Sequence, residues 1–474
     1  QNVGIMIPPS VAGALTNIAV GVLNKIPINI NYTTSEEAIC SIVDQCQMKM
    51  IITSRVFIEK VQIKLPGRLI YIEDLVKGIN KAVQVKAALK AFMFPTAFAR
   101  KCIFGKKQDR KMEDMATIMF TSGSTGQPKG VMLTHANITS NLEGLYQVFH
   151  TRDEDVLMGV LPLFHSFGFT ATLWFPLISG IGVVYHVNPL DAKMIGKLVR
   201  RHKVTILMST PTFLNSYTRR CTEEQFKSLR TVVVGAEKLK DNVAQAFVDK
   251  FGIEPMEGYG CTELSPIVAI NLPDYKEKGR RQKAHKPGKI GMPLPGVSVK
   301  IVDQDTMESK AVNESGLLFV KGPNVMNGYL NKPDLTNEVI KDGWYTTGDV
   351  ANIDADGFLM ITHRLSRFSK IGGEMVPHIK IEEAILSILD TTEQVCVVTS
   401  VADEKKGEKL AVLCLKDIDV ASLVDELKKS DLPNLWIPDV QFFHKVDAIP
   451  MLGTGKIDLG NVKRTAKEIF EKDG

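Results

Sequence analysis

The sequence predicts an α/β fold, with parallel sheets covered by helices followed by a smaller α+β region. Through the first half, short apolar runs of the buried-strand type alternate with stretches of helical periodicity, the order that builds parallel sheets with helices on their faces. From Val297 to Thr362 the texture changes to short strands separated by Gly and Asp turns, and beyond it a smaller α+β alternation resumes.

Val3-Gly4-Ile5-Met6-Ile7 is a continuous apolar run and reads as an internal strand. Thr34 with Glu37 three residues on matches a capping box, opening a helix through Asp44. Met50–Thr53 and Leu69–Ile72 read as strands. Ala116–Phe120 is a buried strand that ends at a Gly/Ser/Thr loop, with a helix from about Asn137. Thr205–Met208 and Thr231–Val234 are further buried strands, and a helix is expected near Asn242–Phe251. Asp354-Ala355-Asp356-Gly357 suits a hairpin turn.

Composition removes whole classes. Of 474 residues, 44% are apolar and 23% charged, which excludes extended disorder, collagen and coiled coil. The excess of 58 Lys+Arg over 53 Asp+Glu is a net charge of only +5, too dilute for a nucleic-acid footprint. The cysteines at 40, 46, 102, 221, 261, 396 and 414 are odd in number and include no CxxC pair. They argue against a disulfide scaffold or zinc site and fit a reducing cytoplasm. Residues 1–24 are uncharged, but Pro8-Pro9 and interspersed polar residues break any spanning helix. Val156–Leu190 also lacks Asp, Glu, Lys and Arg; its prolines and glycines make it buried core, suited to line an apolar cavity. Gln1 is not followed by a basic n-region, so no signal peptide is expected, and the strand beginning at Val3 suggests a piece of a longer polypeptide.

The strongest chemical signal is Thr121-Ser122-Gly123-Ser124-Thr125-Gly126-Gln127-Pro128-Lys129-Gly130. Its glycines admit backbone amides close to anionic oxygens, its hydroxyls add donors and Lys129 adds charge. The GxxxxGK[ST] order of a P-loop is absent. A strand directly before and a helix soon after place it where phosphate cradles occur.

This loop resembles the phosphate-binding signature of the adenylate-forming superfamily of acyl-CoA synthetases, luciferases and peptide-synthetase adenylation domains. Three more of that superfamily's motifs follow in order: Glu257-Gly258-Tyr259-Gly260-Cys261-Thr262-Glu263, Trp344-Tyr345-Thr346-Thr347-Gly348-Asp349 and Gly453-Thr454-Gly455-Lys456. Within it, the runs Leu161–Gly168, Gly235–Leu239, Lys321–Leu330 and Gly373–Val376 are similar to the acyl-[acyl carrier protein] synthetase half of bifunctional acylglycerophosphoethanolamine acyltransferases. In those proteins an acyltransferase domain precedes the synthetase, and either that domain or only the synthetase's own first strands would be missing here.

The resemblance implies a large multi-subdomain N-terminal domain over 1–365 and a small mobile α+β C-terminal domain over 366–474. It implies ATP- and Mg²⁺-dependent activation of a fatty acid as acyl-adenylate, then transfer to a phosphopantetheine thiol on acyl carrier protein or CoA. Lys456, Glu263 and Thr262 are the implied catalytic set, with Glu263 and Thr121 as Mg²⁺ ligands. Thr121, Ser122, Gly123, Ser124, Thr125, Gly126 and Lys129 would hold phosphates. Gly235, Ala236, Glu237, Tyr259 and Gly260 would meet adenine, and Asp349 with Arg364 the ribose. His165, with Phe164, Phe167 and Gly168, would gate the acyl pocket. Lys370, Gly372, Gly373 and Glu374 would form the thioester-step loop, and Ser366 the hinge. His363 and Ser366 depart from the superfamily's usual residues, and Cys261 occupies a variable slot.

Three further expectations come from charge and apolarity. Residues 83–111 pair apolar bulk with a basic rim and suit a membrane surface, placing the protein in the cytoplasm or at the inner face of the cytoplasmic membrane. The basic run 276–283 suits either an acidic carrier protein or plain solvent. The uncharged 156–190 segment offers no acidic partner for an amino-acid substrate, so the competing readings are an aryl-acid ligase or a non-catalytic lipid-binding protein on the same fold.

Overall fold

The computed structural model describes residues 1–93, 111–122, 128–277, 279–364, 367–372, 374–391, 393–403, 406–415, 417–451 and 457–470. Gly123, Ser124, Thr125, Gly126, Ser366, Gly373, Lys456 and the 94–110 part of the membrane segment lie outside them.

The chain begins with a four-stranded parallel sheet in the order Ile26–Asn29, Asn2–Met6, Met50–Thr53, Arg68–Tyr71. The apolar run at the start is therefore an interior strand, with Val3, Ile5 and Ile7 packing on Val20 and Met6 facing Ile28 and Ile39. The helix Glu36–Gln45 is capped by Ser35, whose hydroxyl accepts from the Ala38 amide at 3.3 Å, so the cap sits one residue later than the Thr34 motif suggests.

The second sheet carries the site. Gly182–Tyr185, Val156–Gly159, Ile206–Ser209, Thr231–Val234 and Pro255–Gly260 run parallel, and Ile267–Ile270 and Met292–Pro293 extend the sheet antiparallel. Ile206–Ser209 and Thr231–Val234 are buried at every residue, as strands covered on both faces must be. The uncharged 156–190 segment is mostly core: strand, a π-helical stretch Gly168–Trp174, the helix Phe175–Ser179 and strand again. Among the described residues no helix is long and apolar enough to cross a membrane.

The strand before the Gly/Ser/Thr loop and the helix soon after it stand where the sequence puts them, with one strand between that the sequence reading does not mark. Met115–Ser122 and Pro128–Thr134 pair antiparallel, with Thr121 opposite Lys129, and the helix His135–Val148 follows the second strand. Pro128 to Thr134 has enough β-branched and apolar character to extend the chain, and Thr134 then caps the helix by accepting from the Asn137 amide at 3.2 Å.

An antiparallel sheet follows: Ser298–Val302, Gly316–Lys321, Trp344–Ile353 and Ile340–Lys341, with Leu359–Arg364 added to Trp344–Ile353 through the expected turn at Asp354–Gly357. Beyond Arg364 a separate small sheet forms, in the order Glu374–Pro377, Phe368–Ile371, Gly407–Leu415, Cys396–Asp403, with Phe443–Val446 added parallel to Gly407–Leu415. Its core is built from Ile371, Val376, Ile381, Ile385, Val398 and Val412. Among the described residues no hydrophobic cluster spans this unit and the larger one.

Candidate functional site

In the large sheet, the chain leaves three of the five parallel strands at their carboxyl ends into segments that the sequence marks as functional. Val156–Gly159 leads to Phe164–Gly168, Thr231–Val234 to Gly235–Glu237, and Pro255–Gly260 to Cys261–Glu263. Carboxyl ends of parallel strands are where α/β folds collect ligands.

The bend at Gly260 is dictated by space. The strand register shifts between Tyr259 and Gly260, and a Cβ on Gly260 would fall 1.9 Å from the Pro266 carbonyl oxygen. Only glycine permits this turn, which sends Thr262 and Glu263 away from the strand axis. Ala236 holds φ at +74°, an uncommon value for a residue with a Cβ, and such strain collects at functional segments.

Two polar clusters form around these turns. In the first, Asp349 is 1% exposed and accepts from Arg364 Nε at 2.5 Å and from its Nη2 at 3.1 Å. The two residues are register partners on neighbouring strands. The Tyr259 phenol donates to the other side of the same carboxylate. Burial and the Asp349 charge push the Tyr259 phenol well above its ordinary range, and Asp349 raises the Arg364 guanidinium further. The Arg364 side chain remains 51% exposed, so the cluster has a solvent-facing side.

The second cluster centres on Glu263. The Tyr329 phenol donates to its Oε1 at 2.9 Å, and the Met326 amide donates to its backbone carbonyl at 2.8 Å. Lys129 Nζ stands 5.2 Å from the centre of the Tyr329 ring, a cation–π distance that brings the phosphate-loop lysine toward the carboxylate. Burial first, then Glu263, keeps the Tyr329 phenol protonated. Glu263 and Thr121 carry hard oxygen donors of the kind Mg²⁺ takes.

The acyl-side residues divide. Thr262 and Ser166 place their hydroxyls 3.2 Å apart, joining the 161–168 segment to the Tyr259–Glu263 turn. A Cβ on Gly235 would fall 3.1 Å from the Gly258 carbonyl oxygen and at ordinary contact, 3.5 Å, from the Phe167 ring, so the 235–237 turn lies against both the neighbouring strand and the 161–168 segment. His165 is part-buried, and its Nδ1 accepts from the Phe167 amide at 3.3 Å. Phe164 turns away and packs edge-to-face on Tyr32, centroids 4.9 Å apart. Gly168 is held so close to Pro162 that a Cβ there would fall 2.1 Å from the proline's carbonyl oxygen.

Glu237 accepts from the Thr212 hydroxyl at 2.7 Å. In the small unit, the Lys370 amide donates to Glu408 Oε2 at 2.7 Å, Gly372 has φ +58°, and Glu374 opens the next strand opposite Ile371.

Three participants escape motif reading. Tyr329, Ser166 and Glu257 all sit inside recognisable runs, yet nothing local marks them as partners of Glu263, Thr262 and the 235–240 segment. Glu257 is buried, accepts from the Leu239 amide at 3.3 Å, and burial lifts its carboxyl to about 7.

The chain belongs to the AMP-binding enzyme family, which matches residues 1–330. It is 31% identical to a long-chain-fatty-acid–CoA ligase of Yersinia pestis over 79% of this chain and 66% of that protein. It is 32% identical to the Bacillus subtilis ligase of the same name over 73% of this chain and 60% of that one. A feruloyl-CoA synthase of Amycolatopsis is 32% identical over 74% of this chain and 70% of that protein. The chain thus spans less than two thirds of either fatty-acid ligase. Among solved structures, ATP-bound MatB from Rhodopseudomonas palustris superposes with a TM-score of 0.79 at 24% identity, covering 99% of this chain and 89% of that one. The o-succinylbenzoate CoA synthetase of Bacillus subtilis, bound to its acyl-adenylate, gives 0.77 at 23% identity, covering 98% of this chain and 88% of that one. These establish the fold: a large N-terminal domain and a smaller C-terminal one.

Proposed function

We propose that the chain is an AMP-forming acid–thiol ligase: it joins a fatty acid to AMP, then passes the acyl group to a phosphopantetheine thiol. A carboxylate oxygen attacks the α-phosphorus of ATP and pyrophosphate leaves. The thiol then attacks the acyl carbonyl, loses its proton, and AMP leaves. The observation that carries this reading is the convergence of the Asp349–Arg364–Tyr259 and Glu263–Tyr329–Lys129 clusters with Gly235–Glu237. Buried Asp349 suits two ribose hydroxyls, with Arg364 and Tyr259 fixing its rotamer. Gly235, Ala236 and Gly260 leave room for a flat base, and Lys129 with its loop suits phosphates. Mg²⁺, held by Glu263 and Thr121, would neutralise phosphate charge when bound. The 156–190 segment supplies the apolar wall for an acyl chain, with His165 and Phe167 at its nucleotide end. The domain boundary near 365, the hinge at Ser366 and acyl carrier protein as an acceptor beside CoA belong to the same proposal.

An aryl acid is the second reading, because the feruloyl-CoA synthase resemblance is as strong as the fatty-acid one. ATP–pyrophosphate exchange across a ladder of carboxylic acids separates them. Stimulation by long-chain acids is expected. Exchange with aromatic or short acids alone would transfer the assignment, and no exchange with any acid would leave a non-catalytic binding protein.

The same reading puts the protein in the cytoplasm or at its membrane face. The helix Lys81–Met93 exposes Val85, Leu89, Phe92 and Met93, flanked by Lys81, Lys86 and Lys90, the arrangement an interfacial helix needs. Sedimentation with anionic vesicles should weaken with salt and drop on Leu89→Ser/Phe92→Ser substitution. Unchanged sedimentation of that variant would remove the membrane contact.

A further inference from the structure

We infer that Lys238 and Glu383 form an ionic latch that seats the small unit directly on the nucleotide segment. Lys238 Nζ donates to Glu383 Oε1 at 2.6 Å, across the boundary between the two separately cored units. A second ion pair, Arg219 with Glu393, crosses the same boundary. Both pairs keep solvent-facing side chains. Polar contacts between units with separate hydrophobic cores hold an orientation without locking it, and relative motion is the default.

What makes the Lys238 pair more than surface decoration is its position on both chains. Lys238 immediately follows Gly235-Ala236-Glu237. That segment is tied down on its other side by Thr212 to Glu237 and by the Leu239 amide to Glu257. Lys240, two residues on, is in electrostatic reach of Glu382, Glu383 and Glu237. On the small unit, Glu383 lies on the helix His378–Ile388 next to Glu382. Glu382 is buried, accepts from Arg367 Nη2 through both oxygens at 2.6 Å, and accepts from the Val398 amide at 2.7 Å. Arg367 is the first described residue after the junction between the units. Consecutive glutamates on one helix therefore hold Arg367 and Lys238, so a shift of Gly235–Lys240 is transmitted to Arg367 through one rigid element. Lys238 and Glu383 are positioning residues.

The seating stands on geometry alone; its kinetic consequence rests on the proposed two-step ligase. The test uses the full chain with Lys238→Glu, Glu383→Lys and the double swap. Hydrogen exchange should rise roughly two- to fivefold in both 236–241 and 378–388 for each single reversal, and return to the wild-type level in the swap. High salt should reproduce the single-variant pattern in wild type. Single-turnover rates of adenylation and thioester formation should move in opposite directions in the single variants and recover in the swap. Unchanged protection, or a swap that does not restore it, overturns the latch. Restored protection with both half-reactions moving together overturns its coupling to the reaction. Wild-type protein without ATP–pyrophosphate exchange would instead sink the ligase reading while the exchange data still judge the seating.

Discussion

Asp349→Ala should abolish ATP–pyrophosphate exchange at ordinary ATP concentrations, with the apparent KM for ATP rising at least about a hundredfold. Hydrogen bonds to a charged group contribute roughly 1.5–3 kcal/mol each, and in the proposed role this carboxylate would accept two from a ribose. The loss reaches further, because Arg364 and Tyr259 both depend on Asp349. Leaving a half-exposed guanidinium and a part-buried phenol without their acceptor costs roughly 1–3 kcal/mol, so some of the effect will appear as lowered thermal stability. Asp349→Asn separates the two: it keeps the shape and one acceptor, so it should melt close to wild type while still losing most ATP affinity. Near-normal KM for ATP in a folded Asp349→Asn variant would remove the ribose assignment.

Lys456→Ala should slow adenylation by ~10²–10³, the usual cost of losing one preorganised donor at developing charge, yet leave conversion of supplied acyl-adenylate to thioester intact. This expectation rests on the Gly453-Thr454-Gly455-Lys456 motif. The complementary substitution is at Gly372, where a Cβ would meet nothing within 4 Å but φ is +58°. Any side chain there carries a backbone cost, so Gly372→Ala serves as the strain control and Gly372→Leu adds bulk where the proposed thioester-step loop would meet the pantetheine arm. Leu, but not Ala, should slow thioester formation with adenylation retained. Single-turnover measurement of each half-reaction decides both cases; equal slowing of the two steps by Lys456→Ala would refute the division of labour between the two loops.

Much of the site is legible in one dimension because its demands are local. A turn in which any Cβ would fall 1.9 Å from a carbonyl oxygen can be made only by glycine, so Gly260 advertises itself between Tyr259 and Glu263. Buried parallel strands must be apolar on both faces, so Ile206–Ser209 and Thr231–Val234 stand out as runs. Partnerships are another matter. Thr262 and Ser166 meet across 96 residues of sequence, and Glu263 meets Tyr329 across 66. Tyrosine is also an ordinary core residue, so Tyr329 carries no mark of its partner.

The sequence by itself determined the α/β class, two strands of the central sheet, the hydroxyl-rich glycine loop and the uncharged 156–190 segment, each from periodicity or residue type over a short window. The choice of Glu263, Asp349 and Arg364 came from the resemblance of ordered motifs to the adenylate-forming superfamily. Only the tertiary structure decided that 115–134 is an antiparallel ribbon and that Phe164 packs on Tyr32 while Phe167 reaches Gly235. It alone showed that Asp349 is gripped by Tyr259 from 90 residues away and that Glu383 rests on Lys238. The physical reason is that strand pairing and side-chain partnership are set by which surfaces bury one another, and burial is a property of the whole chain.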